Sequence, residues 1–556
     1  MGVVQEAGAL PRSGVWTALR SPAGAVATTV IAGLAFAGLT LLLAGPLPAG
    51  GPVAPYVFEY LFARNEPAAA WLAIAIVLAA AVVARAGRAP ERFLVARLSA
   101  DPRAFIACAT LVLAAAALLV YRAHPLSMDE YTPLFQARVF ARGRLAGQVP
   151  PELLPRLVPP MRWFIESAPS GAMVSAYWPG FALLLTPFVW LGCPWLLNPL
   201  LGGATLLLGH RLARRLWPDT RAAGWAVLFI AASPAFSVNA ISFYSMAAHL
   251  AASLLFAVLV LEERLVLAGA VGSLALALHN PFPHTLFALP FIVSIARRPG
   301  RIANLARLAA GYVPGVIVLV GGWMWYRAQV TAPVETRVGL LAGLDVVRKY
   351  AFTAPSLDLL LVRTMNLAEL FSWAAPLLVP LAVLGALRSR GNRGACLLAT
   401  AALLTALGYA FVPYDQGHGW GYRYFHAAWA ALPLLAASAV ENGSTTAPLR
   451  RLALSAALFS LVLCTPLRFA QVRTFIDAHL AQVPEVPGAH RRQVVFVDAS
   501  QGSYTIDLVQ NDPFLDGERW VLISHGQAPD ARFMRAFFPG ARRAAAGPFA
   551  SVWVVE

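Results

Sequence analysis

The stretch FIACATLVLAAAALLVY, residues 105–121, runs directly into RAHPLSMDEYTPLFQARVF, residues 122–140. The first part carries no charge and is about as long as a bilayer is thick, so it reads as a transmembrane helix. The second part is polar and opens with the acidic pair Asp129-Glu130. A membrane crossing that delivers two carboxylates at its end sets the frame for the rest of the chain. Similar apolar runs lie near Gly24 to Leu43, Pro67 to Val83, Pro194 to His210, Gly224 to Ile241, Met246 to Leu261, Val266 to Leu278 and Thr285 to Ala296. Others follow near Leu308 to Tyr326, Leu370 to Leu387, Ala395 to Val412, His426 to Val440 and Leu452 to Leu467. The expected architecture is an all-α polytopic membrane protein of about thirteen spans.

Composition agrees. The 556 residues are 59% hydrophobic and 13% charged, with a mean hydropathy of +0.64, too apolar for a soluble chain of this length. The net charge of +16 does not point to nucleic acid, because the arginines cluster in short links between apolar runs. Cys108, Cys193, Cys396 and Cys464 have no metal-ligand spacing and suggest neither a disulfide framework nor a zinc site. The first run lacks a small-residue cleavage pattern after it, so it reads as a retained span rather than a removed signal peptide.

Positive charge favours the cytoplasm, which fixes an expected topology. The arginine-bearing links at Arg85 to Arg103, Arg211 to Arg221, Arg297 to Arg307, Arg388 to Arg393 and Arg450 to Arg451 go inside, with the N-terminus, as a bacterial inner-membrane protein would place them. The loops 122–177, 327–369 and 413–425, the turn His279 to His284 and the tail from Phe469 to Glu556 then fall outside. Trp178 to Gly192 is apolar but would break the charge count as a full crossing, so the breaker Trp178-Pro179-Gly180 introduces a re-entrant or interfacial segment. In the tail, Gln493 to Val497, Trp520 to Ser524 and Ser551 to Val555 read as strands and Asp530 to Phe538 as a helix, predicting a small extracytoplasmic α/β domain. The expected organisation is an N-terminal hairpin over 1–103, a catalytic transmembrane module over 104–468 and the tail domain over 469–556.

Leu134, Phe135, Val139 and Phe140 share one helical face, which predicts an amphipathic helix lying on the membrane and starting at the acidic pair. Ser127 and Glu130 also match a capping box, and the two readings are compatible, since a helix N-terminus favours an ionised Asp129. His279-Asn280-Pro281-Phe282-Pro283-His284 could meet phosphate or metal, or could simply be a proline turn. The loop 327–369 carries Arg337, Arg348 and the single lysine, Lys349, and is long enough to cover a substrate. The tail acids Asp498, Asp507, Asp512 and Asp516 read as solvated.

Asp129-Glu130 after an early span, the following loop helix, Tyr177 to Gly180, Trp195-Leu196-Leu197-Asn198-Pro199-Leu200 leading to Arg211-Leu212-Ala213-Arg214-Arg215-Leu216, and Gly419-Trp420-Gly421-Tyr422-Arg423-Tyr424 together resemble the GT-C superfamily of membrane glycosyltransferases. The branch they look most like groups protein O-mannosyltransferases with aminoarabinose transferases. The resemblance implies a hexosyl or pentosyl transferase that moves a sugar, with inversion, from a polyprenyl phosphate to an extracytoplasmic glycan, lipid or protein. It implies Asp129 as the base and Glu130 as a supporting acid, or the pair as the site of a divalent ion such as Mg or Mn. Arg423 is the first candidate for the donor phosphate, with Tyr422, His418, Lys349, Arg348 and His284 behind it. Tyr131, Arg138, Trp178 and Trp420 are candidates for the acceptor groove. A lipid or saccharide transporter, and a membrane scaffold for the tail, are the competing readings. The first two spans are an addition to the usual arrangement, with no visible role beyond packing.

Overall fold

The computed structural model describes residues 22–46, 57–86, 91–158, 164–331, 356–412, 415–441, 447–486, 492–501 and 504–555. All thirteen apolar runs are helical over most of their length. Among the described residues, five helices are long and apolar enough to cross a membrane, and a sixth crossing results if the bent pair Phe93–Ala100 and Arg103–Leu119 is one span. Seven shorter apolar helices lie among them. The chain is a membrane protein. The run Gly224 to Ile241 breaks where its sequence demands it: helix Ala222–Ala231 stops before Pro234–Asn239, at a proline that cannot continue the ladder. Trp178 to Gly192 forms an eleven-residue helix, Gly180–Trp190, short for a crossing.

The arginine links gather at one end of the bundle. There Arg211 pairs with Glu262 at 2.6 Å, Arg393 bonds Ser294, Arg451 bonds the Ala84 carbonyl, and Glu441 meets Arg450 and the Arg221 amide. Loop 122–177 and the tail occupy the opposite end.

At that opposite end the loop folds into a three-stranded antiparallel sheet, which the sequence reading missed: β1 (Gly147–Gln148), β2 (Ile165–Ser167) and β3 (Ala172–Ser175), in the order β1-β3-β2. The tail forms a mixed sheet of β4 (Gln493–Val497), β5 (Arg519–Ile523), β6 (Arg542–Ala546) and β7 (Ala550–Val554), in the order β5-β4-β7-β6, with helix Gln527–Phe537. β6 was not anticipated, because RRAAA lacks alternation. The last helical stretch, Ala447–Leu480, runs well past the apolar run at Leu452 to Leu467 before the tail begins.

The helix Met128–Ala141 does not lie on the membrane. It is buried nearly all round, with Thr132 and Gln136 as enclosed as Leu134 and Phe135. The reason is the tail: Met128, Tyr131, Phe135 and Val139 share one hydrophobic core with Val494, Phe496, Leu522 and Val552, so surface distant in sequence covers the face that would otherwise meet lipid or water. Arg156 latches the two together. It pairs with Asp530 at 2.6 Å, both side chains buried, and lies over the rings of Phe496 and Phe533.

Candidate active site

Asp129 is the second residue of helix Met128–Ala141, where the N-terminal end of the helix dipole favours negative charge. The Ser127 side chain makes no capping bond and instead meets the Tyr244 hydroxyl at 3.0 Å. Asp507 of the tail takes its place, accepting from the Met128 amide at 2.9 Å. Asp507 is therefore a correction: it is buried at the head of the acidic helix rather than solvated.

The Asp129 carboxylate is about one-fifth exposed and reaches two partners from distant parts of the chain. Arg423 Nη2 donates to Oδ2 at 2.9 Å and the Tyr177 hydroxyl donates to Oδ1. His279 lies with its ring centroid 4.3 Å from that of Tyr177. Burial works against ionisation of Asp129, but Arg423, His279 and the Tyr177 hydrogen bond outweigh it and hold the carboxyl below its ordinary value. Burial pushes His279 down to about 4, so its ring is neutral at pH 7.

Each partner is held in turn. The guanidinium of Arg423 lies 5.0 Å from the Tyr244 ring centroid, and the Asn198 side-chain amide fixes the turn bearing Tyr244 by donating to Ser242 O at 2.7 Å and Tyr244 O at 2.8 Å. The Arg423 amide donates to Gln416 Oε1 at 3.0 Å. Gly419, at φ +150°, leaves room for the arginine, since a Cβ there would lie 2.7 Å from Arg423 Cδ. Gly180 allows helix Gly180–Trp190 to abut the end of helix Leu265–Ala277, just before His279; a Cβ would meet the Ala277 carbonyl at 2.7 Å. The Tyr177 carbonyl accepts from Trp323 Nε1 at 2.9 Å. Within Arg423, Nε carries a buried N–H with no acceptor among the described residues.

Glu130 is a second correction. It is buried and turned away from Asp129, accepting from Tyr121 Oη at 2.8 Å, Leu126 N at 2.6 Å and Phe243 N at 2.8 Å. Burial raises its carboxyl to about 7 despite those bonds. Glu130 is thus committed to those three donors and Asp129 to Tyr177 and Arg423, and among the described residues no cluster of three acid, histidine or cysteine ligands occurs.

The other expected residues divide. His418 is buried with Nε2 3.1 Å from Asp507 Oδ2, at angles that do not make a hydrogen bond, and against the Tyr504 ring. It touches the scaffold of the site and not Arg423 or Asp129. Tyr422 is buried against Phe425, and Trp420 is buried with Nε1 donating to Tyr121 Oη at 3.0 Å. Tyr131 bonds both the amide and the carbonyl of Asn511, at 2.9 Å and 2.6 Å. Tyr131 and Trp420 are thus buried side chains held by these bonds. His284 bonds Tyr312 at 2.6 Å inside the bundle, so the histidine of that turn that reaches the site is His279. Arg138 and Trp178 are half-buried nearby. Arg337, Arg348 and Lys349 lie outside the described residues.

The arrangement can be compared with solved folds. Over 81% of this chain and 97% of the other, it is similar to the crystal structure of ArnT from Cupriavidus metallidurans bound to undecaprenyl phosphate, with a TM-score of 0.51 and 14% identity. The fold is ArnT-like. The apo form of that protein matches over the same shares with a TM-score of 0.48 and 13% identity. No protein-family model and no curated protein matches the sequence. On this frame the site residues that the sequence reading missed are Tyr177, Tyr244, Gln416 and Asp507. None carried a usable signal: even Asp507, inside the short run TIDLV, belongs to a residue type that is mostly exposed unless paired, and its partners Met128 and His418 are distant in sequence.

Proposed function

We propose that the chain is an inverting glycosyltransferase that moves a sugar from a polyprenyl-phosphate carrier to a hydroxyl of an extracytoplasmic glycan, lipid or protein. The observation that carries this reading is the enclosed Asp129–Arg423 pair, 2.9 Å apart, with an orphan N–H left on the arginine. The similar ArnT structure, solved with undecaprenyl phosphate, supports the lipid-phosphate class.

The chemistry follows from the two groups. A guanidinium presents five N–H donors, so Arg423 can give Nε to a phosphoryl oxygen while Nη2 still holds Asp129. Sharing the cation with phosphate loosens its hold on the carboxylate, which raises the basicity of Asp129 as the donor arrives. The acceptor oxygen attacks the anomeric carbon, the bond from that carbon to the phosphate oxygen breaks with inversion, and the acceptor proton passes to Asp129. The lipid phosphate leaves as a stable anion steadied by Arg423, so no proton donor is required. Neutral His279 and the Tyr177 hydroxyl, which burial and Asp129 keep protonated, orient the carboxylate.

Purified protein supplied with radiolabelled polyprenyl-phosphate sugars and envelope acceptors tests the reading. Label should become covalently attached to acceptor from lipid-phosphate donors and not from nucleotide sugars. Movement of the lipid across vesicles with no covalent product would instead establish a transporter.

A further inference from the structure

The first two described helices, Pro22–Leu43 and Val57–Ala86, look like an accessory hairpin, yet the second buries a carboxylate inside the bundle. Glu66 and Arg468 are both 1% exposed and pair at 2.7 Å. Glu66 also accepts from Trp373 Nε1 at 2.9 Å and from the Ser372 hydroxyl. The two Nη atoms of Arg468 also donate to Gln471 Oε1 at 3.0 Å, Ser372 O at 3.2 Å and Asn65 O at 3.5 Å, and its guanidinium lies 4.1 Å from the Trp373 ring centroid. Removing two charges from water is costly, and apolar residues of similar size commonly hold such a site as well or better, so stability alone is weak grounds for an ion pair here.

What the pair holds is the end of helix Leu357–Ser372 with Trp373, and that end grips the loop bearing Arg423. Gly421, at φ +67°, packs directly on Trp373; a Cβ there would sit 3.1 Å from Trp373 Cβ. One turn earlier, Glu369 accepts from Gln416 Nε2 at 2.9 Å. Gln416 in turn bonds the Gly421 carbonyl at 2.7 Å and the Arg423 amide at 3.0 Å. Every link between Glu66 and Arg423 is therefore a short polar contact or a close approach to glycine.

We propose that Glu66 is a positioning residue for Arg423: with Arg468 it fixes Ser372 and Trp373, and through them the Gln416 to Arg423 loop. The proposal rests on the transferase reading for its kinetic consequence but not for its structural one. It gives the N-terminal hairpin a role in setting the distance between the guanidinium and Asp129, which is faced also by Tyr177, His279 and Tyr244.

The test is the double variant Glu66→Met with Arg468→Met, which removes both charges so that neither is left buried alone. Its melting temperature in detergent should stay near wild type. Hydrogen exchange over 415–423 should nevertheless quicken about tenfold or more, as a loop freed from its hold opens more often. Donor KM should rise about tenfold, and the acid limb of the pH–rate profile should move to higher pH as Asp129 loses its cation. Wild-type melting with unchanged exchange overturns the proposal whether or not the protein transfers sugar, so its failure is distinct from failure of the transferase reading. Should the double variant not fold, Trp373→Phe keeps an aromatic six-membered ring at that place and removes the donor to Glu66 with the rest of the indole. Faster loop exchange in that variant supports the proposal, and unchanged exchange overturns it.

Discussion

As the proposed base Asp129 must be ionised, and its partners hold its carboxyl below the ordinary value near 3.8. For a depressed carboxylate the sign is fixed: the charged form prevails above the folded-state pKa and is lost as pH falls through it. Transfer should therefore hold down to mildly acidic pH and fail only at or below the usual carboxylate range. Arg423→Ala should shift that limb upward, in addition to lowering the rate, and pH–rate profiles of the two proteins check both. Glu130 behaves differently. Glu130→Ala leaves the donors of Tyr121, Leu126 and Phe243 without acceptors, at about 1–3 kcal/mol each, so the expected loss is in melting temperature and yield. At this scale the sequence exposed Asp129 and Arg423, because charged groups beside apolar runs and glycines stand out. Only the resemblance separated Asp129 from Glu130, since adjacent residues on a helix point about 100° apart and the tertiary partners decide which one faces the site.

The helix Met128–Ala141 is the element on which the site depends, and its head is completed by the tail. Asp507→Ala removes the acceptor of the Met128 amide beside a buried histidine. It should cost about 1–2 kcal/mol of stability, as loss of a helix cap does, and lower transfer without changing which sugar is used. A chain ending after residue 486 loses the whole tail half of the shared core and should show no transfer, measured in membranes with expression matched by immunoblot. The helices were readable because each apolar run is helical over most of its length, even where a proline or turn divides it. The three-stranded sheet of the loop was not, because its strands have two to four residues, too short for alternation to register. The amphipathic face was real, but a face that meets lipid and a face that meets a distant domain have the same periodicity.

Across the whole molecule, arginine-rich links gather at one end and the site, loop sheet and tail at the other. In a cysteine-free background, Ser170→Cys should react with an impermeant maleimide from outside intact cells and Arg307→Cys only after permeabilisation, both positions being exposed. Labelling of both from one side would break the topology. This polarity was visible in the charge pattern alone, whereas the N-terminal hairpin's link to Arg423 was hidden because Glu66 and Arg468 are some four hundred residues apart. The most direct test of the central claim is transfer of labelled sugar from a polyprenyl phosphate by purified wild-type protein and Asp129→Asn, with donor binding measured in parallel. A positioned base contributes about 10²–10⁴-fold, so the variant should bind donor and transfer at least a hundredfold more slowly. Equal rates in the two proteins would contradict the account.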